Sequence, residues 1–216
     1  MVSRASFVAT AWSQPATGKT DMASMAYITG YEAGDDVVVI EGEASGSYRA
    51  YRDRKTGMSR PGLDRFRRMF VWAEGRYVLV IDDVRAREPV EITWLMQAPR
   101  LIADDVRGHR YTMSCEGATI GFQVASSAQV RGAIIEGTAD NRGRSLGWQQ
   151  LQLTGRGDSL RFFSVYDVWG KGGVVLSGWG EGAEAATIRI QGSGIDDGWS
   201  WQAGPDNQSA GTIVRR

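Results

Sequence analysis

The sequence predicts an all-β protein, a two-sheet antiparallel β-sandwich of the supersandwich kind with about sixteen strands, on three observations. Short runs rich in β-branched and aromatic residues recur from end to end, separated by Gly, Asp and Asn turns. Apolar residues alternate with a period of two, and no window of a dozen residues has helical periodicity. Glycine is abundant at 28 and proline scarce at 5, which suits many strands joined by tight turns.

The strands are expected in this order. Ala5 to Trp12, Ser24 to Tyr31, Val37 to Glu43 and Ser47 to Arg52 come first, with turns at Gln14 to Asp21 and Gly34 to Asp36. A meander follows, Phe66 to Trp72, Tyr77 to Val84 and Val90 to Met96, bounded by Glu74-Gly75 and by Arg85 to Pro89. Val37 to Ile40 and Val78 to Ile81 are apolar on both faces, the mark of central strands covered on each side. Next are Arg110 to Cys115, Thr119 to Ala125 and Gln129 to Glu136, the second half-exposed because Ile120, Phe122 and Val124 share one face. Trp148 to Thr154 and Leu160 to Val168 are separated by a turn at Gly155 to Gly157. Val174 to Trp179, Thr187 to Gln191, Gly198 to Ala203 and Thr212 to Val214 complete the chain.

A chain of 216 residues with 42% hydrophobic content can form one sizeable core, so residues 1–216 are expected to be a single β-sandwich domain. The 25 basic and 25 acidic residues cancel, which removes any global charge argument for nucleic acid or a membrane surface as partner. No apolar run reaches the length of a membrane span or a signal-peptide core. Localisation is therefore open, and it would be periplasmic or extracellular if a parent enzyme is exported. Cys115 is the single cysteine, so no internal disulfide can form, and it is expected to be a small buried hydrophobe.

The candidate chemistry is sparse. His109, the one histidine, lacks the converging ligands of a metal site, so no cofactor or metal is expected and the residue reads as solvated or capping. Carboxylates pair at Asp35-Asp36, Asp82-Asp83, Asp104-Asp105 and Asp196-Asp197. Neighbours on a strand face opposite ways, so each pair offers one carboxylate to any site, and solvated turns account for all four. The strongest local charge asymmetry runs from Arg49 to Arg68, where eight basic residues face Asp53 and Asp64, an excess of 8 − 2 = 6. Tyrosine beside arginine suits an acidic sugar, with a ring against the sugar face and a guanidinium forked onto a carboxylate or sulfate. Tyr48, Tyr51, Arg52, Arg65 and Arg67 are the candidate substrate-binding residues; a solvated, salt-bridged loop is the competing reading. Of the eight tryptophans, Trp72 and Trp94 are expected in the core, and Trp148, Trp169, Trp179, Trp199 and Trp201 near glycine turns.

The segment RFRRMFVWAEGRYVLVIDDVRAREPVEITWLMQAP, residues Arg65 to Pro99, has an arginine leading into an aromatic strand. A hydrophobic strand closing on Asp82-Asp83-Val84 and a strand carrying Trp94-Leu95 before Pro99 complete it. With SYRAYRDRK ahead of it, this progression resembles the C-terminal β-sandwich region of heparinase II/III-like polysaccharide lyases, over Val37 to Pro99 with a weaker trail beyond. The resemblance implies a role beside an N-terminal α/α toroid that supplies much of the catalytic tyrosine, histidine and arginine set. The chain departs from that pattern by lacking a histidine-rich strand before Tyr27 and by carrying Gln97 where many relatives have histidine. β-Elimination needs a base, an acid and a carboxylate neutraliser within hydrogen-bond reach. Arginines and tyrosines here offer the last two, and no base is evident.

The expected function is a sandwich domain that supports or completes a lyase cleft for an acidic, uronate-containing polysaccharide. Its partner would be an α/α-toroid catalytic domain or chain, and this chain alone would be inactive. The alternative is a free-standing carbohydrate-binding or structural module. An autonomous lyase using Tyr48 or Tyr51 is a third.

Overall fold

The computed structural model describes residues 4–6, 26–48, 51–52, 59–60, 62–139, 145–170, 173–182 and 184–216. The strand expected over Ala5 to Trp12 lies outside these residues beyond position 6, as does the turn expected over 14–21. The described strands are β1 (Arg4–Ser6), β2 (Tyr27–Ala33), β3 (Val37–Glu43), β4 (Tyr51–Arg52), β5 (Ser59–Arg60), β6 (Leu63–Ala73), β7 (Tyr77–Ala98) and β8 (Arg100–Asp105). They continue as β9 (Arg110–Cys115), β10 (Ala118–Ser126), β11 (Arg131–Ala139), β12 (Ser145–Asp167), β13 (Val175–Glu181), β14 (Ala185–Gly192), β15 (Ile195–Gln202) and β16 (Thr212–Arg215). Among the described residues no α-helix occurs, and no helix is long and apolar enough to cross a membrane.

A large sheet runs β2-β3-β6-β7-β12-β10-β9-β8, with β1 added in parallel to β7 and β11 antiparallel to β12. A second, four-stranded sheet runs β13-β14-β15-β16, so the molecule is a β-sandwich and not a closed barrel. Val71, Leu79, Ile81, Phe163 and Val165 on one face of the large sheet pack on Leu176, Ile188, Ile190, Trp199 and Trp201 of the small one. These positions alternate along their strands with residues of a second core on the opposite face, which is the two-sided burial expected of Val78 to Ile81.

β7 and β12 are the long axis of the fold, and each is bent. Trp94 Nε1 donates to Asp82 Oδ2 at 3.1 Å although both residues belong to β7. Twelve residues of straight strand would separate them by roughly 40 Å, so β7 must double back. Its second half, with Val90, Ile92 and Trp94, folds with Leu151 and Leu153 of β12 over Phe66, Val80, Phe162 and Phe122. The bend sits where the ladder is interrupted, between Gly157 and Ser159 of β12, opposite a stretch of β7 that contains Pro89. A proline without N–H is tolerated where no ladder bond is lost. A Cβ on Gly155 or Gly157 would stand 2.6 or 2.7 Å from a Leu160 methyl carbon, so a side chain there would displace the buried Leu160. The glycines therefore mark a kink inside one continuous strand, whereas the sequence reading made them a turn between two.

Candidate functional site

The five residues singled out from sequence are not gathered in one place. Tyr48 follows a short 3₁₀ turn, Ser45–Ser47, and its ring meets Phe66 edge-on at 5.4 Å, on the face of β6 opposite to Arg65 and Arg67. Tyr51 and Arg52 form β4, paired with Arg60 and Ser59 of β5. Their side chains lie outside the described set. Arg65 and Arg67 point from β6 toward the small sheet and are buried, so neither belongs to a solvated loop. Apolar neighbours tolerate buried guanidinium groups only when carboxylates accompany them.

Those carboxylates form an ionic layer at one end of the sandwich. Asp83 accepts from Arg65 Nη1 at 3.0 Å and from Arg161 Nε at 2.9 Å, joining β6 to β12 through β7. Arg161 also donates to the Gly182 carbonyl at 2.7 Å and stacks over Trp201 with its Cζ 5.1 Å from the ring centre. Glu184, on the connection between β13 and β14, bridges Arg65 (2.9 Å) and Arg85 (2.6 Å). Burial alone would raise the Glu184 carboxyl, but hydrogen bonds from Arg65 and Arg85 outweigh it and hold the group below the usual range. Arg67, 1% exposed, lies 3.5 Å from Glu43 and 3.8 Å from Glu41. Glu43 in turn accepts from the Ser45 and Phe66 amides, and Glu41 from Thr29 and the Gly211 amide.

On the opposite face of the large sheet a cleft of about 370 Å³ opens where the folded halves diverge, lined among others by Arg68, Phe70, Val78, Trp94, Met96 and Tyr166. Asp82 accepts from Arg68 Nε and Nη2, and from the Trp94 indole. Burial pushes the Tyr166 phenol up to about 12, so it stays protonated as a donor at neutral pH. Beyond the cleft, strand register places Tyr31, Ile40 and Phe70 in one row and Trp72 in the next, all exposed, with Trp72 edge-on to Trp169 at 5.4 Å. The cleft is chiefly apolar with one neutralised ion pair.

Several expectations are corrected. Asp82 and Asp83 do face opposite ways, but both are buried within ion pairs, and Asp197 is buried as well, so solvated turns do not account for them. Trp72, expected in the core, is exposed, whereas Trp94 is buried as expected and Trp199 and Trp201 are buried in β15. Cys115 is exposed at the end of β9. His109 lies 3.3 Å from the Tyr111 hydroxyl, and burial lowers its pKa. No group of three His, Cys, Asp or Glu side chains among the described residues could hold a metal ion.

The strands define an all-β sandwich, with buried arginine–carboxylate pairs on the inner face of its large sheet. The fold recurs in solved structures. A heparinase III superposes with a TM-score of 0.60 at 12% identity, covering 82% of this chain and 27% of that one. A second heparinase III gives 0.57 at 10% identity with the same coverage. A mutant heparan sulfate lyase from Pedobacter heparinus gives 0.50 at 13%, covering 88% and 28%. The likeness is one of fold, and this chain spans about a quarter of each neighbour's length, 27% or 28%. No family model and no curated protein matches the sequence.

Proposed function

We propose that this chain is the β-sandwich unit of a polysaccharide lyase, supporting or completing a cleft in which a uronate-containing polysaccharide is cleaved by β-elimination. The observation that carries the reading is the shared fold with about a quarter (27%) of a heparinase III chain, which leaves room for a further domain in such a parent. The sequence resemblance over Val37 to Pro99 points the same way. In this reading a helical toroid domain or chain supplies the catalytic base, and the uncovered aromatic face of β2, β3 and β6 is where it packs. Tyr48, Tyr51 and Arg52 are the proposed glycan-facing residues on one side; Arg65, on the opposite face of β6 from Tyr48, is proposed as a separate carboxylate neutraliser, with the buried Arg67 in a supporting role.

The test is retention on immobilised heparin, chondroitin, hyaluronan and alginate at several salt concentrations, with Arg52→Ala beside the native chain and product assayed by the absorbance of unsaturated uronate. The expected result is selective, salt-sensitive retention on one acidic polymer, weakened in the variant, with no product from the chain alone. Passage through all four columns without delay would reject the reading.

A further inference from the structure

The arrangement of Arg65 and Arg85 calls for a physical cause. They are direct cross-strand partners in β6 and β7, so their side chains leave the same face of the sheet side by side. Like charges placed opposite one another destabilise a strand pair unless an anion lies between them. The anion present is the Glu184 carboxylate, with Oε2 2.9 Å from Arg65 Nη1 and Oε1 2.6 Å from Arg85 Nη2. Each oxygen meets a different guanidinium, which is how a ligand carboxylate is gripped between two arginines.

Three further observations separate Glu184 from the rest of this cluster. The floor is fixed without it: Asp83 already joins Arg65 to Arg161 from within the sheet, and all three of those side chains are at least nine-tenths buried. Glu184 comes instead from a connection 119 residues away in sequence, and its side chain is 48% exposed beside Arg85 at 28%. Register breaks flank the same level of the sheet, between Leu63 and Arg65 in β6 and between Gly157 and Ser159 in β12, and Ser159 is itself the partner of Arg85. Bulges re-aim side chains and gather beside functional sites.

We propose that the Arg65–Arg85 pair is a carboxylate-binding subsite for an acidic sugar, and that Glu184 is its internal occupant, displaced when a uronate carboxylate enters. The inference rests on the function proposed above and names the contact through which the acidic glycan is held. The exchange is one carboxylate for another, so no bond is made or broken and the buried Asp83 pairs stay intact. Glu184 then sets a threshold: only a ligand with further contacts on the surface outcompetes a tethered carboxylate.

The experiment is calorimetric titration of the native chain, Glu184→Gln and Glu184→Gln/Arg85→Gln with three tetrasaccharides: hyaluronan, whose only anion is carboxylate, a fully sulfated neutral-sugar oligomer, and uncharged chitotetraose. An internal competitor that occupies the subsite about nine-tenths of the time lowers apparent affinity about tenfold, so Glu184→Gln should bind the hyaluronan fragment about tenfold tighter than the native chain. The double variant should lose that gain, and chitotetraose should bind none of the three. Unchanged or weaker hyaluronan binding in Glu184→Gln overturns the subsite, and a gain confined to the sulfated oligomer overturns its assignment to carboxylate. Should either variant melt well below the native chain, the native chain is titrated with glucuronate while the arginine Nε–H resonances are followed. Saturable movement of the Arg85 resonance supports the subsite, and a static spectrum rejects it. Column retention of the native chain that persists in the double variant leaves the proposed function standing and this subsite rejected. Tight binding by Glu184→Gln without native retention does the converse.

Discussion

At the scale of single residues, the polar groups buried between the sheets decide more than the surface ones. Tyr77 is fully buried, donates to Asp197 Oδ2 at 2.7 Å and accepts from the Trp199 indole at 2.7 Å. One hydroxyl thus ties β7 of the large sheet to β15 of the small one. Tyr77→Phe leaves the indole N–H and a carboxylate oxygen without that partner inside the core, and buried unmet groups cost about 1–3 kcal/mol each. Denaturant unfolding should show a lowered midpoint with an unchanged slope. Asp197 extends the same network to Arg76 and Arg215. Burial opposes its ionisation, but the hydrogen bonds from Tyr77 and Arg215 prevail and its pKa is depressed. A carboxyl depressed on folding contributes stability that is complete above its unfolded pKa near 3.9 and is lost as pH falls through the folded value. The melting temperature of the native chain should therefore drop below about pH 4, and Asp197→Asn should flatten that part of the curve while lowering stability at neutral pH. A variant with the native acid limb would remove Asp197 from the account. Alternation along the strands made the opposite facing of Asp82 and Asp83 legible. Their burial was not, because it depends on arginines from β6 and β12 whose pairing no local pattern reveals.

At the scale of elements, the turns and bends carry the constraints. The connection from β15 to β16 crosses the buried Arg67 cluster. Gly204 lies where an added Cβ would collide with the Ser209 carbonyl oxygen and stand 2.7 Å from both the Ala210 carbonyl and Arg67 Nη1. Two of those three atoms are backbone and cannot swing aside, so Gly204→Ala forces the connection off Arg67 and Glu41, which accepts the Gly211 amide. Overpacking of this kind costs typically about 1–3 kcal/mol. The cost should appear as a lower melting temperature and as faster amide exchange at Gly211. Gly75, in the turn between β6 and β7, has a positive φ of 66° and no atom within 4 Å of an added Cβ, so its substitution is strained for conformational reasons alone. The meander from Phe66 to Met96 could be read from sequence because each strand has its own period-two pattern and its own turn. The fusion of two predicted strands into β7, and of two more into β12, could not. Glycine and proline clusters signal interruption of the backbone, and whether the chain reverses or merely kinks depends on the core that forms around it. β8 was missed for a related reason: Arg100–Asp105 has one buried side chain, Leu101, and takes its order from pairing with β9.

At the scale of the whole molecule, the folded-back halves of β7 and β12 cover only part of the large sheet. Phe66, Val80 and Phe162 lie under that cover, whereas Tyr31, Ile40, Phe70 and Trp72 on the same face lie outside it. Trp72 is 51% exposed and Tyr31 69%, while the other face of β6, with Met69, Val71 and Ala73, is closed by the small sheet. In the function proposed above, an exposed apolar row of this kind is the surface against which a second domain or chain packs. Sequence gave no notice of it, since Trp72 lies in an apolar run indistinguishable from one buried on both sides. The consequence is measurable on the isolated chain. With its covering body absent, the face should drive concentration-dependent self-association, visible in sedimentation velocity as a shift to larger species. Phe70→Ser/Trp72→Gln should abolish the shift. Because these rings are partly solvated in the single chain, the substitutions should change its unfolding free energy by no more than about 0.5 kcal/mol per site. A large loss of stability would mean that the rings already serve the chain's own core. Sedimentation of a single species at every concentration would mean that the face needs no partner.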